Sequence, residues 1–338
     1  MGVAHAHHHH AVVAATLQQP IGVHLGHARL IHRAREAVGE MLGGGAGAAA
    51  GAGGRVVALA FDPHPLTVLR PEAAPPRLSR FEQRVSWLLD AGADEVRRLR
   101  PTGDFLSQSP EAFVEAIVAE HRPDFIVEGS DFQFGRARAG SVATLRELES
   151  RLGYRTIEVE TVTAALANQQ TVDVSSTITR WLVERGRMRD VAVVLDRPYE
   201  LNGTIVSGDR RGRDLGIPTA NLDAEDLALP ADGIYAGRAR RLATGDEPLS
   251  WYPAAVSVGT KPTFGECPRT CEAHLLGYDG PLDDYGWTIS LQVTDWIRDQ
   301  VRCPDETSLV AQIRRDIAQV EILTRRVPRR VPAVIEDA

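Results

Sequence analysis

Lysine is almost missing from this chain of 338 residues; Lys261 is the only one. That count removes several chemistries. Neither a G-x-x-x-x-G-K-[ST] phosphate loop nor the strand lysine of protein kinases can be built. A lysine Schiff base is restricted to Lys261, in "TKPTF". Cysteine is scarce too: Cys267, Cys271 and Cys303 form no disulfide framework, which predicts a reducing, cytoplasmic setting. Cys267, Cys271 and His274 stand at C-x₃-C-x₂-H spacing, but a structural zinc site takes four ligands and no fourth is evident. An excess of positive charge is missing: the net charge is -7, which argues against nucleic-acid binding through bulk positive charge. No apolar run approaches the roughly 18 residues that span a bilayer, so no membrane partner is expected. "AVVAATL" (11–17) is short and follows no Lys or Arg, unlike a signal peptide.

The chain is long enough for two domains, and 43% hydrophobic residues supply their cores. "MGVAHAHHHH" (1–10) reads as a solvated or tag-like tail. From 11 onward, continuous apolar strands alternate with helices. "AVVAATL", "RVVALAF" (55–61), "DFIVEG" and "TIEVETV" (156–162) are the strands. Leu30, Ile31, Ala34, Val38 and Met41 recur at helical spacing, and "SPEAFVEAIVAEH" starts on an N-cap serine. "GGGAGAAAGAGG" (43–54) is a low-complexity excursion. This alternation predicts an α/β half with a parallel sheet. Ligands sit beyond the carboxyl ends of such strands, where "GVHLGH", "DPHP" and "GSDFQFG" fall. "VSSTITRWLVERGRMRDVAVVL" (174–195) reads as a helical tail closing this half. After it, short alternating segments separated by Gly, Asp and Pro turns predict an all-β half, a small barrel or sandwich. A helix, "DETSLVAQIRRDIAQVEILTRR", closes it, and "VPRRVPAVIEDA" follows as a loose tail. The expected domains are 11–187 and 194–326, with 1–10 and 327–338 as tails.

Two groups of residues carry chemistry. In "GVHLGH", a glycine turn leads into a helix whose free N–H groups favour an anion. His24 lies on the turn, His27 opens the helix, and both imidazoles can face a phosphate there. H-x-G-H resembles the signature of nucleotidylyltransferases, whose histidines stabilise charge at the α-phosphorus of ATP. In "GTIVSGDRRGRDLGIPTAN" (203–221), Gly208, Gly212 and Gly216 let the backbone bend around phosphates. Thr219 and Asn221 alternate around Ala220, and their hard oxygens suit Mg²⁺. Glu272, in "TCEAHLL", can accept a proton from a substrate hydroxyl.

Taken with "FDPHP", "GSDFQFG", "VSSTITR", "LPADGIYAG", "GTKPTF", "EAHLL" and "DDYG", these stretches make residues 11–325 similar to the prokaryotic bifunctional riboflavin kinase/FAD synthetase family. The resemblance implies a Rossmann-like nucleotidylyltransferase domain followed by a small β-barrel kinase domain with a closing helix. It implies riboflavin, FMN and ATP as substrates and Mg²⁺ as cofactor. Glu272 would be the general base of riboflavin phosphorylation. Thr219 and Asn221 would hold Mg²⁺, within a phosphate-binding loop of Gly208, Arg211, Gly212 and Gly216. His24 and His27 would serve adenylyl transfer from a second ATP. Asp131 and Phe132 match the flavin- and nucleotide-contacting loop, and His64 falls near that site. Ser175, Ser176, Thr177 and Arg180 match a phosphate-binding "SSTxxR" segment. Two other readings stay open. One is a kinase alone, its adenylyltransferase half inactive because Gln18, Pro20 and Ile21 replace the usual residues before "GVHLGH". The other is a flavin or nucleotide binder without turnover.

Overall fold

A computed structural model describes residues 10–14, 22–42, 54–208, 210–242, 250–260, 269–281 and 284–325; at 10–14, 211 and 214 it describes the backbone alone. Gln18, Pro20, Ile21, the glycine-rich stretch 43–53, Lys261, Cys267 and both tails apart from His10 lie outside the described residues. The backbone divides into two compact units. The first comprises 1–75 and 81–163, the second 76–80 and 164–338.

In the first unit the elements run β1 (His10–Ala14), α1 (Leu25–Met41), β2 (Gly54–Phe61), α2 (Leu66–Leu69), α3 (Phe81–Asp90) and β3 (Glu95–Leu99). They continue with α4 (Gly103–Leu106), α5 (Pro110–His121), β4 (Pro123–Gly129), a small β5 (Gln133–Phe134) and β6 (Gly140–Ser141) pair, α6 (Val142–Leu152) and β7 (Arg155–Val159). The main sheet is parallel, in the order β3-β2-β1-β4-β7. β2 reads as an unbroken apolar run because both its faces are covered. Val56 and Ala58 pack with Leu30, Ile31, Ala34 and Val38 of α1. Val57, Leu59 and Phe61 pack with Phe113 and Val114 of α5 and Leu145 of α6. α5 starts as its sequence signals: Ser109 Oγ accepts from Ala112 N at 3.2 Å, and Pro110 fills the first turn.

Strand order proceeds outward from β1 to β3 on one side and from β4 to β7 on the other. The topological switch point therefore lies between the carboxyl ends of β1 and β4, where ligands bind in open α/β sheets. "GVHLGH" follows β1 and "GSDFQFG" follows β4, so both flank that point.

The second unit opens with the hairpin strands β8 (Thr163–Ala165) and β9 (Thr171–Asp173), which the sequence pattern did not suggest. The expected helical tail is two helices, α7 (Ser176–Glu184) and α8 (Met188–Leu195). The break is at Gly186, with φ +65°, where an added Cβ would lie 2.6 Å from Tyr235 Oη. Both helices belong to the second unit; Arg189 of α8 pairs with Asp295 at 2.6 Å.

A closed antiparallel barrel follows, made of β10 (Tyr199–Val206), β11 (Ala220–Leu222), β12 (Gly233–Arg241), β13 (Tyr252–Gly259), β14 (Thr270–Leu275) and β15 (Thr288–Arg298). A short helical turn, α9 (Arg211–Asp214), lies between β10 and β11. Inward residues alternate with outward ones along each strand. The interior holds Leu201, Val256, Cys271, Ala273 and Leu291. The closing helix is α10 (Glu306–Arg325), fastened to the barrel by Arg298, which grips Asp316 in fork geometry (2.6 Å from Nη2).

Candidate functional site

The barrel's site is built on β11 and β14. Their antiparallel register sets Asn221 opposite Glu272, with Ala220 opposite Ala273 and Leu222 opposite Cys271. The period of two then sorts the side chains. Leu222, Cys271 and Ala273 are buried, while Asn221 and Glu272 are half-buried and share the other face. Directly opposed residues bring their Cβ atoms within about 5 Å. Burial, reinforced by the neighbouring Glu272 carboxylate, pushes the Cys271 thiol up to about 12, so it is an inert apolar filler.

The glycine-rich loop arches beside this pair. Gly208 lies so close to the Asn221 amide that any Cβ would overlap it. Gly208→Ala is therefore expected to displace that amide and lower kcat/KM for ATP about tenfold or more, with riboflavin affinity kept; steady-state kinetics against each substrate checks it. Gly216 also has a duty within the fold. With φ +72° it ends α9, its N–H bonding Arg213 O at 2.9 Å while Ile217 N bonds Gly212 O at 2.7 Å. This is a Schellman stop, which needs the left-handed conformation. Gly212 is half-buried in the same turn, and the side chain of Arg211 lies outside the described residues.

A cleft runs along the loop, lined by Gly208, Arg210, Thr219, Asn221, Tyr278 and Trp287. Tyr278 packs edge-on against Tyr252 at 5.4 Å and stacks near Trp287 at 6.4 Å, and the Arg241 guanidinium lies 5.1 Å over the Trp287 ring. The lining combines polar and glycine residues with aromatic ones. Such a lining fits a ligand with a phosphate chain and a flat ring. Sequence reasoning missed Tyr278 and Trp287, because aromatics scattered between strands carry no local signature.

In the first unit, His24 is the N-cap of α1 and His27 its third residue. Both are buried, their ring centroids 3.9 Å apart. His24 N donates to His27 Nδ1 at 3.3 Å. In the neutral ring the proton then resides on Nε2. The first turn of α1 holds no acidic residue to compete with an anion. His64 is buried, and its Nδ1 accepts from Leu66 N at 2.9 Å, capping the turn into α2. Beside it, Asp62 is gripped by buried Arg84 at 2.8 Å, a pairing that the sequence did not reveal.

Asp131 is exposed on the loop after β4, whereas Phe132 is 1% exposed and stacks on Phe134 at 5.1 Å. The Phe132 ring is committed to the core and anchors the loop from below. Glu128 precedes them on β4 with 0% exposure. Burial, with Asp131 adding to it, raises this carboxyl well above its usual 4.5. The folded state thus holds a proton that the unfolded state releases above about pH 4.5, so stability falls as pH rises beyond that point. Glu128→Gln is expected to raise the melting temperature at pH 7–8 and to leave it nearly unchanged at pH 4; thermal scans across that range check it, each pK unit carrying about 1.4 kcal/mol.

Ser175, Ser176, Thr177 and Arg180 belong to the second unit, at the start of α7. Ser175 Oγ caps the helix, accepting from Ile178 N at 3.2 Å; Ser176 is buried and Thr177 exposed. Arg180 is buried, bonds Pro76 O at 3.3 Å through Nε, and keeps an unbonded Nη2. Burial lowers its guanidinium to about 10, a value at which it stays charged at neutral pH.

A parallel α/β unit with a phosphate-ready helix start, followed by a barrel carrying a carboxylate beside a glycine-lined cleft, defines an enzyme of nucleotide-dependent group transfer. Comparison with known families makes this specific. Residues 8–178 match the family model of FAD synthetase, and 195–324 that of riboflavin kinase. The chain belongs to the bifunctional riboflavin kinase/FMN adenylyltransferase family. The Escherichia coli K12 enzyme of that name is 30% identical over 262 residues, covering 77% of this chain and 80% of its own. The Haemophilus influenzae enzyme is 27% identical over 305 residues, covering 90% and 92%. A crystal structure from Streptococcus pneumoniae, described as a macrolide-efflux protein, superposes with a TM-score of 0.74 and 25% identity, covering 94% of this chain and 95% of that one. Among the described residues no helix is long and apolar enough to cross a membrane.

Proposed function

We propose that the barrel transfers the γ-phosphoryl group of ATP to riboflavin, giving FMN, and that the α/β unit joins FMN to AMP from a second ATP, giving FAD and pyrophosphate. The facing pair Asn221 and Glu272 beside Gly208 carries the first half of this reading. Glu272 takes the proton of the ribityl 5′-hydroxyl as that oxygen attacks the γ-phosphorus, and ADP leaves. The Thr219 hydroxyl and the Asn221 amide oxygen are hard donors that fit Mg²⁺, with the backbone of Gly208, Gly212 and Gly216 around the phosphates and Arg211 a further residue of that loop. Mg²⁺ bound there would neutralise charge on the transferring phosphoryl group. No lysine is required, as the composition demands.

In the second half, an FMN phosphate oxygen attacks the α-phosphorus and pyrophosphate leaves. His24 and His27, at the start of α1, donate to the phosphate oxygens as charge develops. Asp131 and the loop anchored by Phe132 border this site, with His64 at the neighbouring strand end. Ser175, Ser176, Thr177 and Arg180 are a phosphate-binding segment at the start of α7. The location is cytoplasmic, a reading supported by the scarcity of cysteine, three in the whole chain. The two family models together cover both halves, which favours two activities over a kinase alone or a binder without turnover.

Incubating the pure protein with riboflavin, ATP and Mg²⁺ and separating the flavins tests this directly. FMN followed by FAD is expected, and chelating Mg²⁺ stops both. FMN without FAD overturns the second half, and absence of FMN overturns the first.

A further inference from the structure

β11 is three residues long, and its pairing with β14 stops at Ala220 and Ala273. The reason is local. Pro218 has no N–H, so it cannot continue the ladder toward Leu275. Thr219 is thus left beyond the last paired residue and exposed. Continuing the antiparallel register by one step sets it opposite His274.

His274 lies two residues after Glu272, so it stands on the same face of β14. Its Nδ1 is 2.7 Å from Pro218 O. A proline carbonyl only accepts, so Nδ1 carries the proton and donates. That side-chain bond ties Pro218 to β14 through its carbonyl, where the proline has no N–H to donate to the ladder. The other side of the segment is held by Ile217 N on Gly212 O. Thr219 therefore follows a segment clamped at Ile217 by the glycine-rich turn and at Pro218 by the strand that bears Glu272.

We propose that His274 is a positioning residue for phosphoryl transfer: its Nδ1–H···O=C bond to Pro218 holds Thr219 in register with Asn221 and Glu272. This rests on the kinase reading of the barrel. His274 touches no reacting atom and acts through the placement of Thr219. The consequence is selective, because Thr219 lines the cleft beside Asn221 and the glycine-rich loop that would take the nucleotide phosphates.

The test compares His274→Ala and His274→Asn in the full chain, with separate kinetics for ATP and riboflavin. An asparagine amide can place an N–H where Nδ1–H stands. His274→Ala is expected to lower kcat/KM for ATP about ten- to a hundredfold while the KM for riboflavin stays within about twofold. His274→Asn is expected to recover most of that loss, and the thermal transitions of both variants should match the parent. Wild-type kcat/KM for ATP in His274→Ala overturns the proposal. So does an asparagine variant as impaired as the alanine one, or an equal loss toward both substrates with a lowered melting temperature. A parent protein that makes no FMN would instead strike the kinase reading itself.

Discussion

Glu272→Gln is expected to cut FMN formation about 10²–10⁴-fold while leaving FAD formation from added FMN unchanged. Glutamine keeps the length and one oxygen of the side chain but cannot take a proton from the ribityl hydroxyl. The barrel should tolerate it. Glu272 is half-buried on the outer face, and the core contacts of β14 come from Cys271 and Ala273 on the other side. A change at such a position usually shifts stability by less than about 0.5 kcal/mol. A general-base role predicts a fall in kcat with the KM for ATP nearly constant, since the lost interaction develops only in the transition state. A merely structural glutamate predicts a lowered melting temperature and mixed effects. Retention of parental kcat by Glu272→Gln would remove Glu272 from the mechanism and leave the Asn221 face as a binding surface only. The FMN-to-FAD assay on the same preparation serves as the internal control.

Periodicity alone makes much of this architecture legible in the sequence. Continuous apolar runs announce strands covered on both faces, and period-two alternation puts Cys271 and Glu272 on opposite sides of β14, as the burial confirms. What stays hidden depends on contacts between distant residues. The break at Gly186 arises because the Tyr235 hydroxyl lies against that glycine, 49 positions away in sequence. The turn between β8 and β9 places Gln169 at φ +66°, so no glycine marks it. Phe132 reads as a loop residue beside Asp131, yet the chain's alternation turns its ring inward onto Phe134. Arg84 looks like a surface residue of α3 until the fold brings Asp62 to it. His274 invites comparison with a metal ligand, but its Nδ1 is engaged by Pro218. In each case the residue type is readable and the partner is not.

The histidines at the start of α1 give the other large expected effect. His27→Ala should lower FAD formation about 10²–10³-fold, the range seen when a donor to developing charge is removed. Alanine would also remove the acceptor for His24 N, and a lost cap costs about 1 kcal/mol. The two consequences separate in His27→Asn. An asparagine oxygen can stand where Nδ1 accepts from His24 N, but nothing then reaches as far as Nε2–H. His27→Asn should therefore melt like the parent and still fail to make FAD. His24→Ala should lose activity on the same scale, because the two rings sit 3.9 Å apart at one helix end and, in the proposed mechanism, would address one phosphate group. Riboflavin phosphorylation should be untouched in all three variants, since none alters the barrel. If His27→Asn makes FAD at the parental rate, the imidazole serves only as a cap. Charge stabilisation must then come from the backbone N–H groups of α1 alone.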